Sequence, residues 1–461
     1  MNKFKQIGYL TLIGFCSQTV FSQQSIDAYV LDSTKNLFTL VASSTNLLSS
    51  PIDLDFYPDQ SKRPFELWLL NQGTSSTGGS TVIVSNANKG ARTSKYVKDG
   101  NAWHFMAMAS SMAFGDSNWA TSQDIIDANR QGGKYTGPTL WPGDKTIYGI
   151  IGNPSTQTEN GSHLSMIHQS PYGKGIAFEK DNVFWLLDGY EGNIKRYDFG
   201  NPHQPGGDDH SGGGVRVFSE FSFTKHATLP GHIVIDANRK YLFGCDPIGK
   251  RVFRIDITTG TNSGARTKIN AESLGLGYVT YTGLIKVDTL IKGFTSPVGI
   301  DVYGNRLIVT DNGTDEIIIY DISKNYSEVG RIKLKYNSNP DPMGIKVGPD
   351  GKIYFVDKTN KSAYMIDNNA VFALSINSVS KADNKFELFP NPANSIITLQ
   401  LNTNLENAEI KFINAIGETV LSHHINNSNN AIIDLATLKN GVYFVQVISQ
   451  NKFFTQKFIK Q

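Results

Sequence analysis

The sequence has 461 residues, 39% hydrophobic and 18% charged, a globular balance that excludes a disordered or collagen-like chain. Lysine and arginine number 43 against 41 aspartate and glutamate, so the net charge of +2 leaves no electrostatic footprint for nucleic acid or an anionic membrane. The 43 glycines and 11% aromatics point to many short strands joined by turns.

Residues 1–22 read as a signal peptide. Lys3 and Lys5 precede a short apolar run, Ile7 to Phe15, and Val20-Phe21-Ser22 supplies the cleavage positions. The run is too short to span a bilayer, which takes about twenty residues, so no transmembrane segment is expected. Cleavage would leave Cys245 as the single cysteine, in the apolar run Tyr241-Leu-Phe-Gly-Cys245, where a buried inert thiol is expected.

From about residue 50 the chain repeats itself loosely. The plainest unit runs from Pro297-Val-Gly-Ile through Asn305-Arg-Leu-Ile-Val-Thr-Asp311 to Asp315-Glu-Ile-Ile-Ile-Tyr-Asp321. Similar units start at Gly173, Pro230 and Pro342, and weaker ones at Pro51 and Ala109. Each is a meander of short β-rich runs that buries its faces only against neighbouring copies, as in a propeller. The units resemble NHL/TolB-like propeller repeats, with a P-x-G-I start and strands ending in Asp. That resemblance implies an all-β fold, a six-bladed β-propeller over residues 25–370, with the first strand of each blade lining the channel. Two long insertions interrupt the pattern, Ile125 to Met166 and the Gly/Pro/Asp/His loop Asn201 to Gly214.

Residues 371–384 read as a linker. Beyond it, alternating runs such as Ile397-Thr-Leu-Gln-Leu401 indicate a small C-terminal β-sandwich over 385–461. Its Phe389-Pro-Asn-Pro392 start, Asn414-Ala-Ile-Gly-Glu418 turn, Leu438-Lys-Asn-Gly-Val-Tyr-Phe-Val445 strand and basic end resemble the C-terminal sorting domain of the type IX secretion system of Bacteroidetes. The resemblance implies a secreted or cell-surface protein whose tail engages that secretion machinery.

The histidines are unevenly spread. His104, His163, His168, His210 and His232 are the candidate metal set, fitting zinc or another divalent transition metal if the fold brings them together. Their expected meeting place is the channel mouth at the third and fourth blades, where the ligand, a small molecule, peptide or glycan, would bind. His203 and His226 are expected to be solvated loop residues. Among the tryptophans, Trp185 is expected in the core, and Trp141, in an apparent loop, is the candidate ligand contact.

Two segments are similar to the peptidyl-hydroxyglycine amidating lyases. Asp188-Gly189-Tyr190 followed by Asn193 and Arg196 resembles their turn carrying a catalytic tyrosine, and Pro230-Gly-His232 resembles a strand carrying a zinc ligand. The resemblance would make Tyr190 a base and His232 a ligand. The chain departs from that family at Ser111 and Met343, where the family has its other ligand histidines. Two function classes follow: a ligand-binding propeller, or a metal-dependent lyase or hydrolase.

Overall fold

The computed structural model describes residues 26–150, 161–337, 339–368, 386–405, 408–414, 419–449 and 452–461. The expected signal peptide, residues 1–22, and the expected linker, residues 371–384, lie outside the described residues. The chain divides into two compact units, Met1–Ala370 and Val371–Gln461.

In the first unit six antiparallel sheets start at the strands Pro51–Phe56, Ala109–Phe114, Gly173–Lys180, Ile233–Ile235, Pro297–Tyr303 and Pro342–Val347. Each of these strands contacts the corresponding strand of the sheets on either side, and the last contacts the first. They form a closed inner ring, and the sheets are blades 1 to 6 in that order. Chain ends close the circle: Asn36–Ala42 supplies the outer strand of blade 6, with Phe38 opposite Ile366. The unit is a six-bladed β-propeller.

The repeat pattern follows from this geometry. Middle strands such as Val183–Asp188 are buried along their whole length, because a neighbouring blade covers each face. The apolar layers lie between blades. One joins Ala120 and Leu140 of blade 2 to Ile176 and Phe184 of blade 3. Another joins Phe243 and Cys245 of blade 4 to Ile300 and Val309 of blade 5. Cys245 is thus buried, and burial pushes its thiol well up. The repeated glycine keeps adjacent inner strands close: a Cβ at Gly175 would lie 2.2 Å from the Gly231 carbonyl oxygen. The recurring Asp at strand ends caps the following turn, as where Asp188 Oδ1 accepts from the Tyr190 N–H at 2.8 Å.

Blade 3 carries an addition that the repeat does not contain. The hairpin Thr261–Ala265 and Gly277–Thr282 leaves blade 4 and pairs in parallel with Gly214–Phe218, the outer strand of blade 3. Trp141 differs from its expected place. It lies on the strand Thr139–Pro142, fully buried and stacked on Trp119 at 6.0 Å, with its Nε1–H donated to Thr121 Oγ1. Pairing of that strand with Asn118–Gln123 turns the indole into the core.

Among the described residues the second unit has two sheets. One contains Phe386–Phe389, Ile396–Leu405 and Ser428–Asp434; the other contains Ala408–Asn414, Thr419–Ile425, Gly441–Ser449 and Lys452–Lys460. Alternate residues, among them Leu399, Ile410, Phe412 and Val445, face one shared core.

Candidate functional site

Five histidines, His104, His163, His168, His203 and His210, gather outside the channel. Loop Asn201 to Gly214 folds back over the segment leading into blade 3: the Gly206 N–H donates to the His163 carbonyl at 2.9 Å, and the Met166 N–H to His210 Nδ1 at 3.1 Å. This brings one ring nitrogen each of His163, His203 and His210 within 4.8 Å of one another. His163 stacks on Phe105 with centroids 3.5 Å apart. His168 lies 5.9 Å from His210 and 5.6 Å from His104, centroid to centroid.

Beside the triad opens a cleft of about 530 Å³, walled by His104, His168, His210, Glu272 and the half-exposed rings of Trp103 and Tyr135. No residue of an inner strand lines it. Glu272 arrives on the added hairpin. Its Oε2 lies 3.1 Å from His168 Nδ1, and its Oε1 accepts from Gln169 Nε2 at 2.9 Å.

Hydrogen bonds settle which nitrogens have lone pairs. His168 Nδ1 faces the Glu272 carboxylate, and His203 donates Nδ1–H to the Gln204 carbonyl at 2.6 Å; in a neutral ring so engaged, Nε2 is the acceptor. Both Nε2 atoms are buried and have no hydrogen-bond partner, as is Nδ1 of His104. Burial, reinforced by His168, lowers His104 to about 4. Burial, reinforced by His168 and His203, lowers His210 to about 3, and burial also lowers His203. Neutral rings are what a metal requires. His210 uses Nδ1 to accept from Met166, so ligating through it means giving up that bond.

Of the five candidate metal residues, His104, His163, His168 and His210 are brought together and His232 is not. His232 lies buried in the channel, its Nε2 3.0 Å from the Ser110 carbonyl and its Nδ1 3.6 Å from Asp53 Oδ1. The inner strand holds it among other inner strands, away from the inter-blade loops. Tyr190 is 38% exposed on its turn, with Lys134 Nζ 5.0 Å from its ring centre, and does not line the cleft. His226 Nδ1 accepts the Thr228 and Leu229 N–H groups, a local turn cap. His203 and Glu272 were not among the expected site residues. The clue to His203 was its position in the histidine-bearing insertion; no repeat or spacing marked Glu272.

The fold and the tail together define an exported β-propeller. Residues 387–461 match the secretion system C-terminal sorting domain, so the protein is exported by the type IX system to the cell surface or extracellular space. No helix among the described residues is long and apolar enough to cross a membrane. An endo-acting ulvan lyase of Formosa agariphila is 25% identical over 128 residues, which cover 26% of this chain and 25% of the lyase. The match therefore spans about a quarter of that relative's length. Similar solved structures include an auxiliary nutrient binding protein from Bacteroides ovatus, with TM-score 0.43 and 12% identity over 72% of this chain and 76% of that one. A streptogramin B lyase has TM-score 0.40 and 13% identity over 73% of this chain and 99% of that one. Likenesses at these scores carry no functional information.

Proposed function

We propose that the exported propeller binds a polar ligand in the cleft between blades 2 and 3, through a divalent transition metal held by His163, His203 and His210. The observation that carries this reading is the approach of their three ring nitrogens to within 4.8 Å beside an open cleft. Three imidazoles suit zinc, with a further coordination position left for ligand or water. The test is metal analysis of the purified chain after dialysis against zinc. About one equivalent in the wild type and none in His203→Ala supports the reading, and no metal in the wild type refutes it.

A second reading, a metal-dependent lyase or hydrolase, draws on the pairing of His168 with Glu272. Glu272 engages Nδ1 of His168, and Nε2 of the same ring has no hydrogen-bond partner. A carboxylate that orients an imidazole is the arrangement of a proton-transfer group. Turnover of a polysaccharide or peptide substrate panel by the metal-loaded chain, abolished in His168→Ala, would favour catalysis over binding alone. Neither reading uses Tyr190.

A further inference from the structure

Part of the cleft wall takes no part in the metal triad. It begins in the insertion between the strands Asn118–Gln123 and Thr139–Pro142 of blade 2. Asp127 holds the first turn there: Oδ1 accepts the Asn129 N–H at 2.9 Å, and Oδ2 accepts the Gln131 and Gly133 N–H groups, both at 2.8 Å. Ala128 closes the loop by donating its N–H to the Tyr135 carbonyl at 3.0 Å. These bonds present Asn129 and the 40% exposed ring of Tyr135 to the cleft. The short helix Ala102–Phe105 supplies Trp103 and His104. Of the five tryptophans, Trp68, Trp119, Trp141 and Trp185 are fully buried, whereas Trp103 is 38% exposed, its Nε1–H donated to Asn101 Oδ1 at 3.2 Å. An indole and a phenol left open at a cleft are apolar surface for a ligand to cover.

The same cleft is lined by two imidazoles that lack a donor. His104, only 8% exposed, is hydrogen-bonded to the Ala128 backbone, and its Nδ1 is buried without a partner. His168, engaged at Nδ1 by Glu272, lacks a partner at Nε2 in the same way. The two rings are tilted by 31° with centres 5.6 Å apart, close enough for one small ligand to reach both. A buried acceptor without a donor is costly, and a ligand hydroxyl satisfies it. Charge narrows the class further. Glu272 and Asp208 line the cleft and no lysine or arginine does, which opposes an anion. Arg130 stands 5.1 Å from the Trp103 ring centre, which opposes an ammonium group there. The wall therefore suits a neutral molecule with hydroxyl donors at its edge and an apolar face for the rings, which is the chemistry of a sugar.

From this juxtaposition we propose that the cleft binds a neutral saccharide, its apolar ring faces against Trp103 and Tyr135 and its hydroxyls donating to His104 Nδ1 and His168 Nε2. The cleft volume of about 530 Å³ falls in the range of small-molecule sites, about 300–1,000 Å³. Saccharide binding rests on the reading of this cleft as the ligand site, but it needs no metal in the neighbouring triad.

The test is binding of the full chain, stripped of metal by a chelator, to an array of neutral, uronic-acid, sulfated and amino-bearing oligosaccharides, followed by calorimetric titration with the best-bound neutral one. Neutral oligosaccharides bind. Trp103→Ala and Tyr135→Ala each raise Kd at least tenfold with an unchanged circular dichroism spectrum, and Trp103→Phe regains most of the affinity lost in Trp103→Ala. Tyr190→Ala, outside the cleft, leaves Kd unchanged. Zinc content measured on the same protein decides the metal reading separately: a chain that takes up no zinc and still binds the saccharide refutes the metal and keeps the saccharide site. The proposal is overturned if no neutral oligosaccharide binds the wild type, if only charged ones bind, or if either ring variant retains wild-type affinity.

Discussion

His168 Nδ1 and Glu272 Oε2 lie 3.1 Å apart although 104 residues separate them in the chain. The contact exists because the added hairpin crosses from blade 4 to the outer edge of blade 3. Glu272 also accepts from Gln169, whose Oε1 in turn accepts the Ile269 N–H at 2.7 Å, so one carboxylate and one amide pin the hairpin tip to the cleft wall.

Replacing Glu272 with alanine removes the acceptor from both His168 and Gln169. The expected cost is about 1–2 kcal/mol of stability, as for partly buried donors left unsatisfied. Glu272→Gln keeps one oxygen for His168 but turns an amide donor towards Gln169, so it should fall between wild type and alanine. Urea midpoints of the three proteins check the order.

The metal reading separates the histidines by place. His203→Ala and His210→Ala should each lower zinc affinity at least a hundredfold, since each removes one of three ligands. His232→Ala should keep full stoichiometry, because that ring is engaged by Ser110 and Asp53 in the channel. Zinc titration against a chromophoric competitor measures all three. Metal loss in His232→Ala with the fold intact would point to a channel site instead.

Local demands of the chain account for much of this architecture. The plainer blade starts were legible because the glycine ahead of the inner-strand Ile and the Asp at a strand end answer local demands, as at Gly175 and Asp188. His104, His163, His168 and His210 were legible as part of a set that also took in His232, because their residue type is scarce and their positions are crowded. Their meeting place was not, since it depends on Gly206 donating to His163 and so folding a loop back on itself. His203 resembled a solvated loop residue for the same reason. Glu272 gave no sign, because its hairpin pairs with a blade other than the one it interrupts.

His104 should make the metal-free protein acid-sensitive. In the folded chain burial lowers its pKa from 6.5 to about 4, while the unfolded chain keeps the ordinary value. Below pH 6.5 the unfolded state binds a proton that folded His104 refuses. Its contribution is therefore intact at neutral pH and is lost as pH falls from 6.5 towards 4, up to about 3 kcal/mol in all. His104→Gln should flatten that part of the curve, seen by comparing urea unfolding at pH 7 and pH 5. An unchanged slope would mean that the ring takes up its proton without opposition in the fold.

The channel supplies the last expectation. Lys346 Nζ lies 3.5 Å from Asp55 Oδ1 and 3.7 Å from Asp301 Oδ1, tying the inner strands of blades 6, 1 and 5. The carboxylates are further fixed by backbone groups, Asp55 Oδ2 accepting from Phe114 at 2.8 Å and Asp301 Oδ2 from Val347 at 2.7 Å. Burial pushes both aspartates up and Lys346 opposes it. Lys346→Met keeps the apolar stem but leaves two carboxylates facing each other without a cation, at a cost of about 2–3 kcal/mol near neutrality. In the variant both aspartates have folded pKa values above their unfolded ones, so protonation stabilises its fold. The stability gap to wild type should accordingly be widest at pH 7 and narrow as pH falls towards the carboxylate range. Urea unfolding of both proteins from pH 7 to pH 4.5 measures the gap; one that stays constant would assign the loss to packing of the lysine stem and not to its charge.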